Sequence, residues 1–173
     1  MQDLDDHQLV LLVQATGEVS AYDELVRRHQ APLLGFLASV AGDDAIAEDA
    51  TQRALFKAYR KIEQFAARSS FRTWLFSIGY REWAQIKRKR SPTPFASPPE
   101  PAVEMAFERT MDLEAALACL PEAERTALLL CDAFEMSNAE AALAMDAPLG
   151  SVKTYIRRAR QRMRAILLES DDE

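Results

Sequence analysis

The stretch Met136 to Arg164, M-S-N-A-E-A-A-L-A-M-D-A-P-L-G-S-V-K-T-Y-I-R-R-A-R-Q-R-M-R, leaves this chain few folds to choose from. Ser137 followed by Glu140 is a capping box, which predicts a helix from Asn138. Pro148 interrupts helical hydrogen bonding and Gly150 permits a sharp reversal, after which Ser151 is placed to cap a second helix. In that helix Val152, Ile156, Ala159, Met163 and Ile166 recur at three- and four-residue steps and form one apolar stripe. Lys153, Thr154, Arg157, Arg158 and Gln161 fall off the stripe, and no acid occurs between Ser151 and Ile166. A short helix, a tight turn and a helix with one buried and one cationic face predict a helix-turn-helix that docks in the major groove of DNA. The plainer alternative is a solvated basic face; the capping box, the Pro-x-Gly turn and the missing acids weigh against it.

At 173 residues the chain can form one domain or two small ones. Its hydrophobic content of 49% supports real cores, and with only 5 glycines and abundant Ala, Leu, Arg and Glu the composition predicts an all-α protein. The N-terminus is acidic (Asp3, Asp5, Asp6) and the apolar run Leu9 to Val13 is too short for a signal peptide. No apolar run approaches membrane-spanning length, so the expected compartment is the cytoplasm. Cys119 and Cys131 have no His or further Cys beside them, which is no zinc spacing, and both are expected to be reduced thiols. The net charge of −6 is segregated. Seven cations between Arg68 and Arg90 stand against Glu82 alone, and six cations between Ser151 and Arg164 stand against no acid. Phosphate attraction is local and screened within about 10 Å, so two basic faces on an acidic body predict two DNA contacts.

In chain order, an amphipathic helix is predicted from Leu4 to Ala15, ended by Gly17, and a second from Ser20 to Gly42 with a kink at Pro32. A third follows Asp43-Asp44 and runs to Ile62, its early acids and late cations suiting the helix dipole. After the polar loop E-Q-F-A-A-R-S-S, Ser70 is placed to cap a fourth helix from Phe71 to Arg90. Its Trp74, Tyr80 and Trp83 suit either a core or stacking on unpaired bases. The segment from Ser91 to Pro101 holds five of the eight prolines and reads as a linker. The expected architecture is therefore two small helical domains, 1–90 and 105–173, joined by a Pro-rich linker over 91–104. The second begins with an acidic helix from Met105 to Ala118. Pro121 opens the next helix, with Glu122 and Glu124 at its N-terminus, and the tail E-S-D-D-E is expected to fray.

Three motifs in this order carry a family resemblance over nearly the whole length: S-S-F-R-T-W-L-F-S-I (69–78), L-P-E-A-E-R-T-A-L-L-L (120–130) and the helix-turn-helix series (137–164). With E-D-A-T-Q (48–52) they identify the chain as resembling bacterial RNA polymerase sigma factors of the extracytoplasmic-function group. The resemblance implies a non-catalytic, dissociable promoter-specificity subunit without a cofactor. Its partners would be core RNA polymerase, promoter DNA and an anti-sigma factor. The third helix would hold the polymerase clamp through Glu48, Asp49, Gln52 and Arg53. The loop and fourth helix would read and melt the −10 element through Gln64, Arg68, Ser69, Ser70, Arg72, Trp74, Tyr80, Arg81, Lys87 and Arg88, the loop capturing a flipped base. The −35 element would be read through Ser151, Lys153, Thr154, Tyr155, Arg157 and Arg158, with Arg160 and Arg162 on phosphates.

The chain also departs from the family pattern. Ile78-Gly79-Tyr80-Arg81 stands where I-A-R-N is usual, Arg53 where an acid is common, and Ala141, Ala142 and Ala147 where larger aliphatics are common, so the first motif helix is expected to pack loosely. A stand-alone helix-turn-helix regulator would leave Glu48 to Gln52 and the Trp-bearing helix unexplained. A sigma mimic that titrates an anti-sigma factor should lose its basic faces, and both are kept. No Gly-rich phosphate loop, metal motif or nucleophile–base constellation points to an enzyme.

Overall fold

The computed structural model describes residues 3–90 and 113–171, and among these every regular element is a helix. The proline-rich segment and the first part of the helix expected from Met105 lie outside the described residues. Helix α1 (Asp6–Thr16) starts on a capping box in which Asp5 and Gln8 bond each other's backbone, and it ends on Gly17 at φ 68°. Gly17 suits that left-handed C-cap because it carries no Cβ. Helix α2 (Val19–Ala41) carries Pro32 within one continuous helix. Leu33, Phe36 and Leu37, all fully buried, hold it in place beyond the missing hydrogen bond. Helix α3 (Asp44–Lys61) is capped by Asp43, and its inward face is Ala47, Ala50, Thr51, Ala54 and Ala58. Those small side chains let α2 and α4 close upon it. One 3₁₀ turn (Ile62–Gln64) and a loop lead to α4 (Phe71–Arg90), where Ser70 Oγ accepts from the Thr73 amide at 3.1 Å, as the sequence predicts.

The second lobe comprises α5 (Leu113–Ala118), α6 (Glu122–Leu128), α7 (Asn138–Met145) and α8 (Leu149–Asp171), with a single π turn (Leu129–Ala133) closing α6. The Ser137–Glu140 capping box forms. The expected stripe on α8 is buried at Val152, Ile156, Ala159 and Met163. The turn, however, is made differently. Asp146, at φ 53°, takes the left-handed position that closes α7, a conformation its short polar side chain tolerates. Helix α8 then begins at Leu149, so Gly150 and Ser151 lie inside its first turn. The Ser151 and Val152 amides both bond the Pro148 carbonyl, which leaves Ser151 without the capping role expected of it.

The two lobes do not stand apart. Ala127, Leu130, Met136, Ala141, Ala144 and Val152 belong to the same buried cluster as Leu25, Leu33, Phe36 and Phe76. A small separate cluster of Ala116, Leu120, Leu128, Ala159 and Met163 is the second lobe's own. Phe134, just after the π turn, places its ring 5.7 Å from Phe36 and 5.6 Å from Phe76. Helix α7 lies along α4. Of the three alanines at which loose packing was expected, Ala141 is completely buried, Ala142 is 8% exposed and Ala147 is half-buried at the edge of the cluster.

Candidate nucleic-acid interface

The α8 candidates differ in what their side chains bond within the chain. Lys153, Arg157 and Arg158 are exposed on the outward face, and Ser151 is half-exposed. Thr154 turns its hydroxyl back to the Gly150 carbonyl at 2.9 Å, and Tyr155 packs against the shared core. Arg160 forms a two-pronged pair with Asp132 at 2.7 and 3.2 Å, and Arg162 pairs with Glu124 at 3.1 Å. The Asp132 carboxylate holds the Arg160 charge in place, raising its pKa. Sequence reasoning missed Asn138, Gln161 and Arg164. With Lys153, Arg157 and Arg160 they line a cationic groove of about 560 Å³ between the start of α7 and α8. A groove with four cations and one amide at a helix N-terminus suits a DNA phosphate run. No single residue in 136–164 announces it, because the Asn138 side chain joins the row only once α7 and α8 are folded together.

In the first lobe, the loop from Gln64 to Ser70 is held open by its anchors. Gln14 Nε2 donates to the carbonyls of Ile62 (2.7 Å) and Phe65 (3.1 Å), and the Phe65 ring packs on Phe71 and Trp74. Ala67 sits at φ 51°, a left-handed conformation that a non-glycine residue adopts at a cost and that the anchored ends enforce. Gln64, Arg68 and Ser70 are exposed and Ser69 half-exposed. Beside them Ser69, Ser70 and Phe71 of the loop and α4 face Asp6, His7 and Arg28 across a depression of about 590 Å³. Trp74 is half-buried against Phe65 and Phe71, and Trp83 is a core residue, 3% exposed.

The remaining candidates on α4 meet the second lobe. Arg72 Nη2 donates to the Phe134 carbonyl at 2.7 Å while its guanidinium lies 5.5 Å over the Phe76 ring. Thr73 donates to Glu140 at 3.2 Å. Tyr80 is half-buried against Trp83 and lies beside Thr126, and burial pushes its hydroxyl above the ordinary tyrosine pKa. Arg81 faces Asp146 at 3.7 Å, and Lys87 pairs with Glu122. Arg88 is exposed. The second lobe therefore packs over Arg72 and Tyr80, while Trp74 packs within the first lobe and Arg81, Lys87 and Arg88 stay exposed.

On α3 the candidates share an outward face. Glu48 and Gln52 are exposed, and Asp49 and Arg53 bond each other at 2.6 Å one turn apart. That pairing answers the departure at Arg53: the cation neutralises the neighbouring acid on its own helix. No helix among the described residues is long and apolar enough to cross a membrane.

Comparisons with known proteins agree with this layout. The family description "Sigma-70 region 2" matches residues 25–93 and "Sigma-70, region 4" matches residues 110–163. The RNA polymerase sigma-H factor of Pseudomonas aeruginosa is 34% identical over 90% of each chain. The ECF RNA polymerase sigma-E factor of Haemophilus influenzae is 30% identical over 92% of this chain and 94% of its own. Among solved structures, the sigma factor RpoE in complex with the anti-sigma factor NepR from Bartonella quintana is 28% identical with a TM-score of 0.69, covering 87% of this chain and 98% of that one. The structure of CnrH in complex with the cytosolic domain of CnrY shares the fold at a TM-score of 0.68 and 23% identity, over 94% of this chain and 97% of that one. The chain belongs to the extracytoplasmic-function group of the sigma-70 family of RNA polymerase sigma factors.

Proposed function

We propose that the two lobes divide promoter recognition between them, with residues 1–90 serving polymerase and the −10 element and residues 105–173 serving the −35 element. Helix α3 meets core polymerase through Glu48, Asp49, Gln52 and Arg53. The Gln64–Ser70 loop captures a flipped base, while Arg72, Trp74, Tyr80, Arg81, Lys87 and Arg88 follow the separated strand. Flipping exposes the edge of a base that stacking otherwise hides, and a preset loop lowers the cost of holding it. Lys153, Arg157 and Arg158 read base edges at −35, and Arg160, Arg162 and Arg164 hold phosphates. The observation that carries this reading is the outward face of α8, cationic and free of acids, above a fully buried stripe.

Because the second lobe covers α4, the lobes have to part before a −10 strand can reach Arg72 and Tyr80. Core polymerase and an anti-sigma factor then act on one equilibrium in opposite directions: polymerase holds the lobes apart, and an anti-sigma factor keeps the reading faces covered. The NepR and CnrY complexes of similar chains support such a partner. All of this takes place beside the chromosome, in the cytoplasm.

Footprinting the assembled holoenzyme on a promoter tests the division. Arg158→Ala should cost about 1–3 kcal/mol in binding if Arg158 makes a bidentate base contact, and the loss should fall on promoters with the matching −35 base. A loss of equal size on every promoter would demote Arg158 to a phosphate contact.

A further inference from the structure

Helix α1 carries none of the residues that the motifs single out, and it bears on both ends of the Gln64–Ser70 loop. Near its C-terminal end Gln14 is half-buried. Its one amide nitrogen donates to the carbonyls of Ile62 at 2.7 Å and Phe65 at 3.1 Å, 48 and 51 positions along the chain. Those carbonyls flank the 3₁₀ turn through which α3 runs into the loop. The Ile62 carbonyl also accepts from the Phe65 amide at 3.0 Å, so the turn keeps one bond of its own. At the other end of α1, Asp6 Oδ2 lies 2.5 Å from His29 Nε2, and the His29 ring packs 5.4 Å from Phe71, the first residue of α4. Phe65 and Phe71 are buried, and the span between them is largely exposed, with Ala67 left-handed at φ 51°. An exposed span in a conformation costly for alanine keeps its shape only while its ends are fixed. Helix α1 fixes them.

We propose that Gln14 is a positioning residue for base capture: it holds the loop in the shape that receives an unpaired base, and so sets how strongly the chain tells a base from an empty position. The inference rests on the reading of the Gln64–Ser70 loop as a base-capturing loop. It adds a residue, outside the loop and outside α4, on which the discrimination depends. The physical argument is preorganisation. Each backbone dihedral already fixed in the free protein is entropy that the bound base does not have to offset. Gln14 uses both N–H groups of its amide to fix two carbonyls on either side of one turn. A side chain of the same length without donors leaves the Phe65 carbonyl to seek water, because a buried acceptor without a partner is costly. The peptides that follow it, at Ala66 and Ala67, turn with it, and Ala67 relaxes out of its left-handed conformation. The effect is confined to the loop. Leu9, Val10 and Val13 dock α1 on the core whatever stands at Gln14, so the helix stays in place when the amide is lost.

The test uses the holoenzyme assembled from core polymerase and the full-length chain. A fluorescent single strand carrying the non-template −10 element of a mapped promoter is titrated, and an abasic position is walked along it. The position at which the parent loses most affinity marks the captured base, and the ratio of intact to abasic affinity there is the readout. Gln14→Met keeps the volume and removes both donors, whereas Gln14→Lys returns N–H donors at a similar reach. For Gln14→Met the ratio should fall about tenfold, the scale of two hydrogen bonds lost from a preset loop, with core affinity unchanged. Gln14→Lys should keep a ratio within about twofold of the parent, because its added charge strengthens binding to every strand alike and cancels in the ratio. A ratio for Gln14→Met within about twofold of the parent would overturn the proposal, whatever happens to Tm, and would leave Gln14 a structural tether alone. An equal fall in Gln14→Met and Gln14→Lys would overturn it too, since the donors would not be what counts. A parent indifferent to every abasic position would overturn the base-capture reading and the proposal with it, an outcome distinct from the other two.

Discussion

Phe134 belongs to the second lobe, yet the two rings it touches, Phe36 and Phe76, belong to the first. Phe134→Ala should therefore loosen the contact between lobes more than it loosens either lobe. Truncating a fully buried Phe costs about 3–5 kcal/mol. Phe134 is only half-buried, so about 2 kcal/mol is the appropriate scale here. That moves the closed-to-open equilibrium about 30-fold. The Arg72 bond persists, because its acceptor is the Phe134 carbonyl and survives the substitution. The closed contact also starts with a handicap. Arg125 Nε is buried there without a hydrogen-bond partner. Each such atom costs about 1–3 kcal/mol, which suits a contact meant to part. Dyes at Leu11→Cys and Leu143→Cys, both on exposed positions in different lobes, would report the separation by energy transfer once Cys119 and Cys131 are replaced with serine. Transfer should fall in Phe134→Ala, and a single-stranded −10 oligonucleotide should bind more tightly as Arg72 and Tyr80 are uncovered. Unchanged transfer with unchanged oligonucleotide affinity would refute the account of what holds the lobes together.

Glu140 is held below the usual carboxylate range by the Ser137 amide and hydroxyl, with Thr73 and Arg72 adding to the effect. Its folded pKa is depressed, so the stability it lends the α7 N-terminus is present above about pH 4.3 and disappears as pH falls through the lowered value. Thermal stability should drop over that acid window, and Glu140→Gln should remove the part of the drop that Glu140 supplies. Within the basic end of α4, Lys87 pairs with Glu122 and Arg90 lies 3.8 Å from Asp43, whereas Arg88 and Lys89 are exposed. Arg88→Ala with Lys89→Ala should lower the magnitude of the salt slope of holoenzyme–promoter binding by about two phosphate contacts, and an unaltered slope would make this end a solvated face. A Cβ at Gly79 would lie 2.8 Å from Leu33 Cδ1, and Leu33 is fully buried. Gly79→Ala should therefore cost about 1 kcal/mol net of its helix-propensity gain and lower Tm by about 2–4 °C.

What the sequence disclosed and what it hid have a common physical basis. Caps and stripes are local, and they were legible: Ser70, the Ser137–Glu140 box, and the Val152–Met163 face all form as their spacing predicts. The reversal before α8 was misassigned because Pro-x-Gly is a stronger signal than an aspartate, while the backbone put its left-handed residue at Asp146. Lobe closure was not legible at all. Its contacts join residues far apart in sequence, 62 positions for Arg72–Phe134 and 85 for Arg125–Val40, and periodicity shows that a helix has an apolar face without showing which face covers it. The same reasoning applies to Phe56. Leu55 and Phe56 are adjacent apolar residues, and only the packing of α3 turned Leu55 toward the core and Phe56 toward water. The DNA-reading residues fall between these cases. They are proposed from motif and charge, but the covering of Arg72 and Tyr80 became visible only in three dimensions.

The central claim is that this chain confers promoter choice on RNA polymerase. Run-off transcription with purified core polymerase, with and without the chain, tests it on templates carrying candidate −35 and −10 elements, with start sites mapped. The account predicts initiation at a fixed distance from the −10 element only when the chain is present, and loss of that initiation when Lys153, Arg157 and Arg158 are all replaced by alanine. Promoter binding by the isolated chain with no initiation upon adding core would contradict it and would make the protein a stand-alone DNA-binding regulator.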